Sequence, residues 1–143
     1  RRDGFMATAA AAGLPTPGAF ELGDSDGAGQ RAALCEMLKR RRRVTGVAAY
    51  DRADRVLMAA AASGLSIPRD LSLVTFGETG AEACGFPLAL LAVPSEAAGR
   101  LAVSLLLERI GNPTIVPHPA PLPFNFECGA TLAPPRTKPE QPK

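Results

Sequence analysis

Gly64-Leu65-Ser66-Ile67-Pro68-Arg69-Asp70-Leu71-Ser72-Leu73-Val74-Thr75-Phe76 is the stretch from which the fold is read. Its second half, Leu71 to Phe76, is an apolar run with β-branched and aromatic side chains, the composition of a strand. Its first half is punctuation. Gly64 stops the Ala-rich helix predicted from Arg52 to Ser63, because glycine takes the left-handed conformation that ends a helix. Upstream lies a second apolar run of strand length, Val44 to Tyr50, closing at Asp51. A strand, a helix and a strand in this order form a parallel pair with a crossover helix.

The alternation continues in both directions. Arg2 to Ala12 reads as a helix stopped by Gly13, and Ala19 to Leu22 as a short strand. Asp24-Ser25-Asp26-Gly27 is turn chemistry that also offers a cap to the helix Ala28 to Arg40. Gly77 to Phe86 reads as a loop, Leu88 to Val93 as a further strand, and Pro94 as the opener of a helix reaching about Ile110, with Gly111 behind it. Most of the 14 prolines fall after residue 112, so the last part of the chain is not mainly helical. Within it, Leu122 to Cys128 is the extended segment, and the residues from Ala133 onward read as a mobile tail. The expected fold class is α/β, a parallel sheet flanked by helices on both faces.

Composition narrows the chemistry. The 143 residues suffice for one ordinary domain, and 46% of them are apolar. With 16 basic and 14 acidic residues the net charge is +2, which argues against a mainly polybasic nucleic-acid binder. No apolar run reaches the roughly 18 residues of a membrane span, so no membrane partner is expected. Cys35, Cys84 and Cys128 are too few and too dispersed for a disulfide framework or a zinc knuckle, and point to a reducing, cytoplasmic compartment. His118 is the single histidine. It removes every site that needs two, and argues against a Ser-His-Asp hydrolase. No enzyme activity, metal or cofactor is expected.

The remaining features each carry two readings. Lys39-Arg40-Arg41-Arg42-Arg43 suits the negative end of a helix dipole, and also suits phosphate contact. Asp24-Ser25-Asp26-Gly27 opens like a calcium loop but lacks the later ligands, and Gly27-Ala28-Gly29 lacks the third glycine and lysine of a phosphate loop. Cys84 and Cys128 have no base close by in the sequence. Tyr50-Asp51 is the most informative pair. In a parallel sheet, ligands bind outside the carboxyl ends of the strands. Three polar segments fall there: the one after Leu22, Tyr50-Asp51, and Gly77-Glu78. Asp51 also suits the cap of the following helix, and the two roles are compatible.

One linear pattern is more specific than any of these. It runs Arg1-x-x-Gly4-Phe5, Tyr50-Asp51, then Gly64 to Phe76, Pro87-Leu88 ahead of Pro94, and Gly99-Arg100-Leu101-Ala102 leading to Leu106 and Ile110-Gly111. This resembles the effector-binding core of the LacI/GalR family of bacterial transcription regulators. In that family a helix ends in Gly-Leu-x-Ile/Val-Pro and a strand opens Asp-Ile/Leu-Ser-Val-Val. The resemblance covers residues 1 to about 135.

The resemblance implies a periplasmic-binding-protein-like core of type I, with this chain forming mainly the C-terminal lobe. Residues 1–93 would be that lobe, incomplete and without its opening strand. Residues 94–132 would be a helix and returning strand that cross to and from the N-terminal lobe, and 133–143 a flexible tail. Leu101, Val103, Leu105, Leu106 and Ile110 would then need cover from outside the chain. The family dimerises, so helix 52–63 and loop 80–86 would lie at a homodimer face. DNA would be bound through an N-terminal helix-turn-helix absent from this sequence. A small-molecule effector, a sugar or related metabolite, would shift the balance between lobe arrangements. A periplasmic-type solute-binding protein is the alternative.

The implied effector contacts are Arg1, Tyr50, Asp51, Gly77 and Glu78. Arg1 matches the family arginine. Tyr50 stands where asparagine is usual, and Gly77 where an aspartate follows the strand, with Glu78 beside it. The threonine pair after Pro-Leu is Ala89-Leu90, and the late Arg-Gly-Ser-Thr reads Cys128-Gly129-Ala130-Thr131. The site therefore keeps fewer polar groups for a simple sugar.

Overall fold

The computed structural model describes residues 2–15, 17–23, 26–40, 44–116 and 121–134. Arg1, Asp24, Ser25, Arg41, Arg42, Arg43, His118 and most of the expected tail lie outside the described residues.

The elements run α1 (Arg2–Ala11), α2 (Gly27–Arg40), β1 (Gly46–Ala49), α3 (Ala53–Ala62), β2 (Ser72–Gly77), β3 (Glu82–Ala83), β4 (Phe86–Pro87), β5 (Ala89–Ala92), α4 (Ser95–Gly111) and β6 (Asn125–Glu127). β1, β2, β5 and β6 form one sheet in that order, and β3 and β4 form a small separate hairpin. β1–β2 and β2–β5 are parallel, with Ala49 opposite Thr75 and Phe76 opposite Leu91. β6 runs antiparallel to β5, with Leu91 opposite Phe126. The sheet is thus mixed and mostly parallel, where the sequence reading expects a parallel one. The direction of β6 follows from what precedes it. α4 ends at Gly111, and the chain comes back to the sheet at the carboxyl edge of β5, so it can only run down that strand.

Capping explains several boundaries. Asp26 Oδ1 accepts the Gly29 N–H at 2.8 Å, so the expected cap of α2 is made by the second aspartate of the turn. At the end of α3, Gly64 has φ +72°, Leu65 N–H donates to Ala60 O and Gly64 N–H to Ala61 O. This paired closure uses the left-handed conformation that a side chain resists. Asp51 departs from expectation. Its Oδ1 accepts the N–H of Arg52 at 2.6 Å, and no side-chain cap reaches the first turn of α3. Arg52 is left-handed at φ 59°, so the chain turns sharply before α3 begins. Pro94 occupies the cap position of α4 rather than its first turn.

Two predicted features are corrected. Ala19–Leu22 is not a strand. No described strand lies beside it to satisfy its backbone, and it is held instead by Gln30 Nε2 donating to Gly23 O at 2.7 Å and by Leu22 packing against the core. The expected loop Gly77 to Phe86 begins with the last residue of β2 and holds most of the β3–β4 hairpin, which ends at Pro87.

The core lies on one face of the sheet. Leu34 and Leu38 of α2 and Val56, Leu57, Ala59 and Ala60 of α3 meet Ala49, Leu71, Leu73, Leu90 and Ala92. The alanines of α3 let it approach α2 closely. On the opposite face Val74, Phe76 and Leu91 are only half-buried, and Phe126 is exposed. Cover on both faces is therefore not found among the described residues. α4 has no buried residue, and Val103, Leu106 and Ile110 are exposed.

The segment after β6 ties the sheet together. Thr131 is fully buried. Its Oγ1 donates to Leu73 O at 2.8 Å and accepts from Ala89 N–H at 2.9 Å, and its carbonyl accepts from Leu73 N–H at 2.8 Å. It bridges β2 and β5 just below where they begin to pair. Gly129 makes this possible, since a Cβ there would stand 2.2 Å from the Leu88 carbonyl carbon. Ser72 Oγ donates to Ala133 O at 2.9 Å and completes the attachment.

Candidate functional site

The carboxyl ends of β1 and β2 lie side by side, because the register puts Ala49 opposite Thr75. Tyr50-Asp51 and Gly77-Glu78 consequently leave the sheet at one edge, as the rule for parallel sheets requires. Four of the five expected site residues are brought to that edge. The fifth, Arg1, lies outside the described residues.

Each carboxylate at this edge has a local partner. Asp51 accepts the Arg52 N–H through Oδ1, and its Oδ2 lies 3.9 Å from Arg52 Nε. Glu78 Oε1 accepts a hydrogen bond from Ser95 Oγ at 2.7 Å, which links the end of β2 to the first turn of α4. Gly77 contributes no side chain. Its carbonyl accepts the Val93 N–H at 2.9 Å, holding the end of β5 in place.

The aromatic content of this edge is larger than the sequence reading expects. Tyr50 and Phe76 have ring centroids 5.7 Å apart and tilted by 53°, and Phe76 and Phe124 are 5.7 Å apart edge to face at 83°. Tyr50 is 59% exposed and Phe124 43%. Phe76 and Phe124 are the residues that reasoning along the sequence missed. The available signal was alternation, which puts Phe76 on the same sheet face as Tyr50 once the register is known. For Phe124 there was none, since only the antiparallel return of β6 carries it to this edge.

A cavity of about 410 Å³ adjoins this edge, lined by Asp51, Asp54, Thr75, Phe76, Glu82 and Leu88 among others, and it shares Asp51 and Phe76 with it. Of the expected site residues only Asp51 lines it. Among the described residues no group of His, Cys, Asp and Glu is placed to hold a metal ion. Nor is any helix among them long and apolar enough to cross a membrane. Cys84 and Cys128 are exposed and Cys35 is half-buried, all three as free thiols.

A family model described as a periplasmic binding protein-like domain matches residues 1–131. The chain belongs to that family. A curated relative, the HTH-type transcriptional repressor MelR of Bacillus subtilis, is 38% identical over 73 residues, which cover 48% of this chain and 21% of the relative. Among solved structures, a LacI family transcriptional regulator from Bifidobacterium animalis subsp. lactis superposes with a TM-score of 0.77 at 22% identity, covering 95% of this chain and 50% of its own. The transcriptional regulator CelR in complex with cellobiose superposes with a TM-score of 0.71 at 25% identity, covering 90% and 40%. This periplasmic binding protein-like domain thus spans about half or less of the regulators it matches. Its similarity to LacI-type regulators agrees with the resemblance carried by Gly64 to Phe76, and these relatives are regulators rather than enzymes.

Proposed function

We propose that this domain senses a small molecule for a DNA-binding transcriptional regulator of the LacI type. The observation that carries the reading is the convergence of Tyr50, Asp51, Gly77 and Glu78 at the carboxyl edge of β1 and β2, within a domain whose relatives are regulators. Residues 1–93 form most of the C-terminal lobe, and residues 94–132 cross to the N-terminal lobe and return. α4, with no buried residue of its own, finds its cover in that other lobe. The effector, a sugar or related metabolite in the manner of the cellobiose in the CelR complex, binds between the lobes. It favours one lobe arrangement and changes the spacing of DNA-reading heads in a cytoplasmic homodimer that joins through α3 and the β3–β4 hairpin. No covalent step is involved.

Arg1 supplies a forked pair of charge-assisted donors to the ligand in this reading, in keeping with the family arginine it matches. Calorimetry of the full-length protein with pentoses, hexoses, disaccharides and sugar acids tests it. At least one should bind, and Arg1→Ala should weaken that binding by about 1.5–3 kcal/mol, the range for a hydrogen bond to a charged group. Binding undiminished by both Arg1→Ala and Tyr50→Ala moves the site elsewhere.

A further inference from the structure

Glu78-Thr79-Gly80-Ala81 is a closed turn. Ala81 N–H donates to Glu78 O at 3.1 Å, and Gly80, the third of the four residues, stands at φ +73°. Glycine reaches that left-handed region without a steric penalty, which suits it to this position of a turn. The turn leaves β2 at Gly77 and is bonded to two later segments of the chain. Gly77 O accepts the Val93 N–H at 2.9 Å, and Glu78 Oε1 accepts the Ser95 hydroxyl at 2.7 Å. On its other side, Gly80 N–H donates to Glu127 Oε2 at 3.0 Å. Val93 and Ser95 flank the start of α4, and Glu127 closes β6. Neither side chain serves its own element. A first-turn serine can bond its own backbone, yet α4 has no side-chain cap and the Ser95 hydroxyl points to the turn instead. Glu127 reaches 47 residues back along the chain. α4 has no buried residue, so its start is fastened more by these bonds than by packing. Both side-chain bonds are exposed to water and open at small cost.

We propose that the turn from Gly77 to Gly80 is a clasp that couples the start of α4 to the end of β6, with Ser95 and Glu127 as positioning residues for Glu78. The inference rests on reading residues 94–132 as the segments that cross between lobes and Glu78 as an effector contact, and it adds the route between them. A four-residue turn closed by its own hydrogen bond moves as a unit. A pull on Glu78 through Ser95 is felt at Gly80, and a shift of Glu127 is felt at Glu78. A change of lobe arrangement displaces α4 and β6 and so reorients the Glu78 carboxylate. By linkage, a ligand held by Glu78 favours the lobe arrangement in which both bonds are closed.

Amide hydrogen exchange on the full-length protein, with no ligand added, tests the coupling, because a protected amide exchanges when its bond opens. Ser95→Ala should speed exchange at Gly80 and Ala81, which its hydroxyl does not touch, by about threefold, within the effect of losing one hydrogen bond. Glu127→Ala should do the same at Val93. Glu127→Gln, which keeps an acceptor oxygen, should restore slow exchange there. Glu96→Ala, next to Ser95 but paired with Arg100 inside α4, should leave both regions as they are. Circular dichroism melting checks that each variant is folded. Faster exchange confined in each variant to the amides beside its own substitution overturns the clasp, and so does an effect of Glu96→Ala as large as that of Ser95→Ala. Calorimetry with cellobiose, ribose and lactose then tests the positioning of Glu78. For any of these that binds, Ser95→Ala and Glu127→Ala should each weaken binding about threefold to tenfold, and Glu127→Gln less than about twofold. Affinity unchanged in all three overturns the positioning role. Failure of all three sugars to bind counts against the effector reading, and the exchange comparison decides the clasp independently of it.

Discussion

Thr131 shows how much one side chain can hold. Its hydroxyl stands between Leu73 O and Ala89 N–H in a fully buried place, so it serves two strands at once. Valine has the same shape and neither hydrogen-bonding function, and would leave the Ala89 donor without a partner. Thr131→Val should lower stability by about 1–3 kcal/mol in urea unfolding, the cost of a buried unsatisfied group. Replacement by Ser, which keeps the hydroxyl, should cost less. In the sequence this residue was legible only as a family position. Nothing local marks Cys128-Gly129-Ala130-Thr131 as buried, because the burial comes from strands 42 and 58 residues away. The position of Tyr50 and Asp51 at the carboxyl end of a strand, by contrast, was legible, since they close an apolar run. The place of Phe124 was not, as it follows the proline-rich Pro121-Leu122-Pro123 and its partner ring lies on β2.

At the scale of elements, α3 was read correctly because its signals are local. The alanine-rich run predicts the helix and Gly64 its end. The closure through Ala60 O and Ala61 O needs a left-handed residue, so Gly64→Ala should cost about 1–2 kcal/mol, read as a drop in thermal midpoint. An unchanged midpoint would mean that the closure opens at little cost. The misread elements failed for the opposite reason. Ala19–Leu22 has strand composition but no neighbour among the described strands to bond with, and a strand without a neighbour is only an extended loop. The β3–β4 hairpin is too short to show periodicity. β6 was placed correctly as extended, but its antiparallel sense depends on where α4 delivers the chain. α4 itself was legible as a helix, and its exposed Val103, Leu106 and Ile110 show that its apolar residues look outward from this sheet.

For the whole molecule, the charge balance governs encounters with nucleic acid. With a net charge of +2 and a single basic cluster, Lys39 to Arg43, the chain releases few counterions on contact with DNA. In fluorescence anisotropy it should bind duplexes weakly, without sequence preference, and lose that binding between 50 and 200 mM salt, the interval over which a binder resting on phosphate contacts weakens most visibly. Selective binding that persists at the higher salt would show a DNA-reading surface inside the domain. Fold class was legible at this scale because alternating strands and helices restrict the topology to a few solutions. The one-sided core was not. Sequence pattern tells which residues are apolar, whereas which sheet face is packed depends on where the connections pass.

The attachment of residues 129–133 also sets an order of events for a chain emerging from the ribosome. The bonds from Thr131 to Leu73 and Ala89 cannot form until almost everything described above has been synthesised, so β2 and β5 must wait with their lower edges wet. Contacts of such long sequence separation slow folding, since the intervening loop must be closed before they contribute. During that interval the half-made sheet is open to pairing with other nascent chains, and recruitment of chaperones should be greatest just before Gly129 leaves the exit tunnel.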